Sequence, residues 1–130
     1  MLNMIKIMIV DDEQDVESLF NHRFRRDLKN NNFEFQFAFS AEEAWSFISN
    51  LNPLDIVLIL SDINMPGKSG LDLLKEVKDR FPQLKVMMVT AYGDQQNYDR
   101  AFALGADDFI TKPIDFDALR EKINALAGKD

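Results

Sequence analysis

The sequence contains no cysteine. Disulfides and thiolate metal sites are therefore excluded, and a cytoplasmic setting is the natural expectation. Histidine occurs once, at His22. With no acid–base partner near it in sequence, it reads as a solvated or partner-facing position on a polar helix face and not as a catalytic group. Basic residues are in deficit: 15 Lys and Arg stand against 22 Asp and Glu, a net charge of −7. That balance disfavours nucleic acid as a direct partner, because affinity for a phosphate backbone comes largely from Lys and Arg. No apolar run approaches a membrane span. Asp11 and Asp12 interrupt the only apolar stretch near the N-terminus, so no secretory pattern is present. There is no repeat, low-complexity tract or Pro/Gly-rich linker, and the expectation is one domain over residues 1–130, long enough for a real core.

What is present is alternation. Strand-like runs at 4–10, 33–39, 54–60, 84–90 and 107–110 are separated and followed by helix-like runs at 13–29, 41–50, 70–80, 94–104 and 115–127. Residues 13–29 carry Val16, Leu19, Phe20, Phe24 and Leu28 at helical spacing. The run FEFQFAF puts Phe at 33, 35, 37 and 39, a period of two that gives a strand with one apolar face, more suited to core than to ligand stacking. Ser40 and Glu43 form a candidate capping box for the second helix, which buries Ala44, Trp45 and Ile48. Gly105 follows the fourth helix as a good terminator. Strict β–α alternation with short connections implies a parallel sheet with helices on both faces. In such α/β sheets the site lies beyond the carboxyl ends of the strands.

The strand ends are where chemistry-bearing residues gather. Strand one ends in Asp11 and Asp12, strand three in Asp62, strand four in Thr90 and Ala91, and Thr111, Lys112 and Pro113 follow strand five. Each has a bland reading taken singly. Asp12 suits a helix cap, Asp62 a turn before NMPG, Thr90 an ordinary strand position and Lys112 a solvated charge. Together they place three carboxylates, a hydroxyl and one ammonium at one crevice. Clustered carboxylates repel, and a hard divalent cation with oxygen ligands resolves the conflict. A carboxylate beside a metal and a lysine can act as a nucleophile toward phosphorus, a reaction that asks mainly for positioning and charge neutralisation.

This constellation resembles the receiver domain of bacterial two-component response regulators, through IMIVDDE (7–13), SDINMPGKSG (61–70), VTA (89–91) and GADDFITKP (105–113). The resemblance implies a doubly wound α/β fold of flavodoxin-like type, (βα)5 with strand order 2-1-3-4-5. It implies that Asp62 is the phosphoacceptor and that Asp11, Asp12, Asp62 and the Asn64 carbonyl bind Mg²⁺, with Mn²⁺ as a substitute. Thr90 is then the switch hydroxyl, Lys112 the phosphoryl contact and Phe109 the switch aromatic, with a cis peptide at Lys112–Pro113. Asn64 and Tyr92 flank the path of a hydrolytic water and would set the phosphate lifetime. The implied donor is a histidine kinase or a histidine phosphotransfer protein. The implied output is a rearranged surface of the fourth helix, fifth strand and fifth helix, read by a downstream protein or an attached output domain. Phosphorylation-dependent pairing of two copies is left open. The chain is expected to be a stand-alone receiver or the N-terminal part of a longer regulator, and not an enzyme beyond its own phosphorylation and dephosphorylation. Asp55 precedes Asp62 by seven residues where family members often have an acid about five before, which reads as a two-residue strand extension that preserves side-chain facing.

Three other readings use the same residues. A phosphohydrolase of the haloacid-dehalogenase type also uses an Asp nucleophile, but it needs a second Asp two residues on, where this chain has Asn64. A flavin-mononucleotide binder needs a phosphate-cradling loop after the first strand, and here that loop is the acidic DDEQ. A non-phosphorylated docking module would not need all five site residues, and all five are present.

Overall fold

The computed structural model describes residues 4–50 and 58–128. Five strands form one parallel sheet in the order β2-β1-β3-β4-β5. They are β1 (Ile5–Val10), β2 (Phe33–Ala38), β3 (Leu58–Asp62), β4 (Lys85–Thr90) and β5 (Asp108–Thr111). The helices are α1 (Asp15–Arg23), α2 (Arg25–Lys29), α3 (Ala41–Asn50), α4 (Gly70–Arg80), α5 (Gln95–Ala103) and α6 (Phe116–Leu126).

β3 is buried at every position and β4 at all but its first, as central strands covered on both faces must be. β2 is the alternating strand and lies at the edge. Two cores result. Ile7, Ile9, Phe20, Phe24, Leu60 and Leu119 pack on the face covered by α1, α2 and α6. Met8, Val10, Ile48, Leu74, Met88 and Ala101 pack on the face covered by α3, α4 and α5.

Among the described residues four helices begin with a side-chain oxygen that accepts from one of their orphan amides. Ser69 and Asp72 form a reciprocal capping box on α4. Asp94 accepts from Asn97 N–H on α5, and Asp115 accepts from Asp117 and Ala118 N–H on α6. On α3 the box is shifted by one residue. Ser40 Oγ accepts from Glu43 N–H at 3.0 Å, but Glu43 reaches back to the amide of Phe39, at 3.1 Å. At the far end of α5, Gly105 takes φ of 95°, a conformation that favours glycine.

The structure corrects several local expectations. The helix expected over 13–29 is broken at Phe24, whose φ of −108° and ψ of 21° leave the helical range. Phe24 is completely buried against Phe20, Phe33, Phe35 and Phe116, and seating that ring takes precedence over helix continuity. Leu19, expected inward, is 43% exposed. The third strand runs two residues past the apolar run 54–60, through Ser61 to the Asp62 expected at its end, while the beginning of that run, with Asp55, lies outside the described residues. The fifth strand starts at Asp108, and Asp107 instead accepts from the Val86 amide of β4 at 2.8 Å.

Candidate functional site

The strand order brings the ends of β1, β3, β4 and β5 side by side. Asp11 extends β1, its N–H donating to the Ala38 carbonyl at 3.1 Å. It is buried, and its Oδ1 accepts from the Glu13 amide at 2.9 Å. Asp12 is exposed at the rim. Asp62, the last residue of β3, is only 7% exposed. Carboxylate oxygens of Asp11, Asp12 and Asp62 all lie within 4.8 Å of one another.

Among the described residues, one cation faces this group. Lys112 Nζ donates to Asp62 Oδ2 at 3.0 Å and stands 3.7 Å from Asp11 Oδ2. The charges are visibly unbalanced. Burial pushes the Asp11 carboxyl above its ordinary range despite the Glu13 amide, and the Asp62 charge pushes the same way while Lys112 pulls against it. Burial alone would lower the Lys112 ammonium, but the hydrogen bond to Asp62 and the charges of Asp62 and Asp11 hold it above its ordinary value. The donor set is three hard carboxylates at one point, which suits a small divalent cation.

The remaining site residues arrange themselves around that point. Thr90 ends β4 and is buried, and its carbonyl accepts from the Lys112 amide at 2.9 Å. The Lys112–Pro113 peptide is cis. Phe109, on β5, is half-buried and stacks on Tyr98 of α5 with ring centroids 4.2 Å apart. Asn64 is exposed on the loop after β3. Tyr92 is 89% exposed, so in this state its ring stands in solvent and does not cover Asp62. His22 lies exposed in the last turn of α1, and its carbonyl accepts from Arg25.

Beside the acidic cluster is an apolar depression of about 640 Å³ that the sequence reading did not anticipate. Val16, Leu19, Phe20, Ile114 and Phe116 line it, and Asp11 and Lys112 are at its margin. The exposure of Leu19 on an otherwise polar helix surface is the one local sign of it.

Comparison with known proteins agrees with this geometry. The family described as response regulator receiver domain matches residues 7–124. The response regulator protein PilR of Pseudomonas aeruginosa is 38% identical over 118 residues, covering 91% of this chain and 25% of its own length. The two-component response regulator PhoP of the same organism is 32% identical over 122 residues, 94% of this chain and 51% of its own. The chain thus spans between a quarter and about half of the length of these curated relatives. Among solved structures, a response regulator receiver domain protein from Clostridium thermocellum superposes with a TM-score of 0.85 at 28% identity, over 95% of this chain and 94% of that one. The receiver domain of NtrX from Brucella abortus does so with a TM-score of 0.80 at 31% identity, over 95% and 99%.

Proposed function

Because the chain belongs to the response regulator receiver domain family, we propose that it acts as a single receiver domain whose Asp62 accepts a phosphoryl group from a histidine kinase or a histidine phosphotransfer protein. The observation that carries this reading is the approach of Lys112 Nζ to Asp62 Oδ2, 3.0 Å, beside two further carboxylates within 4.8 Å. A buried acid at a strand end, held by one lysine and crowded by two acids, is a nucleophile fixed in place and short of positive charge.

In the reaction an Asp62 carboxylate oxygen attacks phosphorus. The new O–P bond forms as the donor's P–N bond breaks, and the electron pair stays on the imidazole nitrogen. With a small acyl phosphate a P–O bond breaks instead, and the pair stays on the acyl oxygen. Lys112 holds the acceptor oxygen and then a phosphoryl oxygen, and the Thr90 hydroxyl is available to another. Asp11, Asp12, Asp62 and the Asn64 carbonyl are the residues that would hold Mg²⁺, or Mn²⁺ in its place. Its contribution when bound is charge that lets these carboxylates and the phosphoryl oxygens coexist.

The apolar depression lined by Val16, Leu19, Ile114 and Phe116 supports docking of the donor, since a protein delivering phosphorus to Asp62 must bury surface next to it. The output follows from Thr90 turning toward the phosphoryl group and Phe109 leaving Tyr98 for the space vacated, which remodels the surface of α5, β5 and α6. Asn64 and Tyr92 then govern how long the phosphate lasts. Asn64 is placed to orient a water, whereas the exposed Tyr92 ring must swing inward before it can exclude one.

The test is intact mass after incubation with acetyl phosphate and Mg²⁺. Wild type should gain one phosphoryl group, and Asp62→Asn should gain none. An unchanged wild-type mass, with metal binding confirmed by calorimetry, overturns the reading.

A further inference from the structure

Ser61 is a buried hydroxyl in the middle of a hydrophobic sheet, and the phosphotransfer scheme gives it no part. Its strand neighbours are Val10 and Met88, and it is 1% exposed. A buried hydroxyl is costly unless it finds a partner. The partner here is the main-chain carbonyl of Asp62, which accepts from Ser61 Oγ at 3.0 Å.

The same carbonyl meets a second constraint from the start of α4. A methyl group on Gly70 would lie 2.0 Å from the Asp62 carbonyl oxygen, 2.9 Å from its carbonyl carbon and 2.9 Å from the Ile63 Cα. All three are backbone atoms, so no side chain can swing aside to make room. Gly70 is glycine for close approach and not for an unusual φ. Its N–H also donates to the Ile63 carbonyl at 2.9 Å, while the Ile63 N–H donates to the Val89 carbonyl of β4 at 3.3 Å. The Asp62–Ile63 peptide is therefore bracketed by a hydroxyl, a helix start and a neighbouring strand.

We infer that Ser61 and Gly70 are positioning residues for the acceptor: they fix the peptide plane of Asp62, and through it the direction in which the carboxylate leaves the backbone. This deepens the proposed phosphorylation of Asp62 and rests on it. The physical lever is length. A carboxylate oxygen stands roughly 3 Å from its own Cα, so a peptide rotation of about 20° moves it by about 1 Å, enough to cost roughly a hundredfold in rate. Neither residue touches the phosphoryl group.

The experiment compares initial rates of phosphorylation by acetyl phosphate at saturating Mg²⁺ in wild type, Gly70→Ala, Ser61→Ala and Val77→Ala, each with its urea unfolding midpoint. Val77 is buried on the same helix but packs in the core, so its truncation supplies the effect of lost stability alone. Gly70→Ala should react about a hundredfold more slowly than wild type. Ser61→Ala, which adds no atoms, should react about three- to tenfold more slowly with an unfolding midpoint near that of wild type. Val77→Ala should keep the wild-type rate. If wild type itself takes up no phosphate, the proposed function fails and this inference falls with it. If wild type reacts and Gly70→Ala keeps pace with Val77→Ala, the positioning role is overturned. Should Gly70→Ala not fold, Ser61→Ala decides alone, and an unchanged rate in it rejects the inference.

Discussion

The two ends of the sheet handle charge in opposite ways. At the carboxyl end three carboxylates face one ammonium, Lys112. At the amino end Asp107 has Lys78 at 2.7 Å, Lys85 at 4.0 Å and the Val86 amide at 2.8 Å. Lys78 is itself shared out, donating to the carbonyls of Leu84 at 2.8 Å and Pro82 at 3.4 Å. One acid with two cations and an amide ties α4 to β4 and to the chain entering β5. Three acids with one cation leave negative charge unbalanced and room for more positive charge. Local rules are obeyed where the molecule needs only to hold together and are broken where it has chemistry to do.

That contrast can be broken most forcefully with metal. Mg²⁺ at about a hundred times its dissociation constant should raise wild-type stability by about 2.7 kcal/mol. Asp12→Asn should lose most of this gain and Asp107→Asn should keep it, as read from urea midpoints with and without chelator. Without metal the signs should separate. Asp107→Asn leaves Lys78 short of its counter-charge and should destabilise by about 2 kcal/mol. Asp11→Asn relieves crowding and should stabilise. If both substitutions destabilise equally, the carboxyl end is not strained in the way described.

The pH dependence sharpens the same point. Asp11 keeps its proton to higher pH in the folded chain than in the unfolded one, whose value is near 3.8. Between those two values the folded state binds more protons, so metal-free stability should fall as pH rises from the unfolded value through the folded one. Saturating Mg²⁺ needs the ionised form and should reverse the slope. Asp11→Asn should flatten the metal-free profile. A wild-type profile already flat in chelator would remove the argument.

The smallest expected effect lies away from both ends. The Tyr98–Phe109 stack is worth about 0.5–1.5 kcal/mol beyond burial, by analogy with other aromatic pairs. Tyr98→Ala should release Phe109 and speed phosphorylation by acetyl phosphate about threefold, within the range that such an energy allows. Tyr98→Phe should leave the rate unchanged. Equal rates in all three proteins would mean that the stack does not hold the switch.

Much of this architecture is legible in the residues because it is periodic or punctuated. The alternation of β2, the apolar runs of β1 and β4 and the cap at Ser40 are short-range signals. Asp11, Asp12, Asp62, Thr90 and Lys112 stand out by their place after apolar runs, and the parallel sheet brings those places together. What escaped depends on packing between distant residues. The break at Phe24 follows from a ring seated among Phe33, Phe35 and Phe116, which periodicity along one helix does not encode. Ser61 and Asp62 belong to β3 through pairing with β4, although SD reads locally as the start of a turn. Gly70 opens the helical run 70–80, and its close approach is not a local signal, because the backbone it must clear lies eight residues back in the chain.

The Asp107 lock also has a consequence in time. The Val86 amide is bonded to a carboxylate that two lysines hold, so it can exchange its hydrogen with solvent only when α4, β4 and the start of β5 come apart together. Tyr92 and Gly93, exposed at the opposite end, carry no such restraint. The chain therefore passes from a tied end at Lys85 and Val86, through β4, to an exposed loop beyond Thr90. The tied end should open rarely and the loop beyond Thr90 often, a difference that amide hydrogen exchange would read.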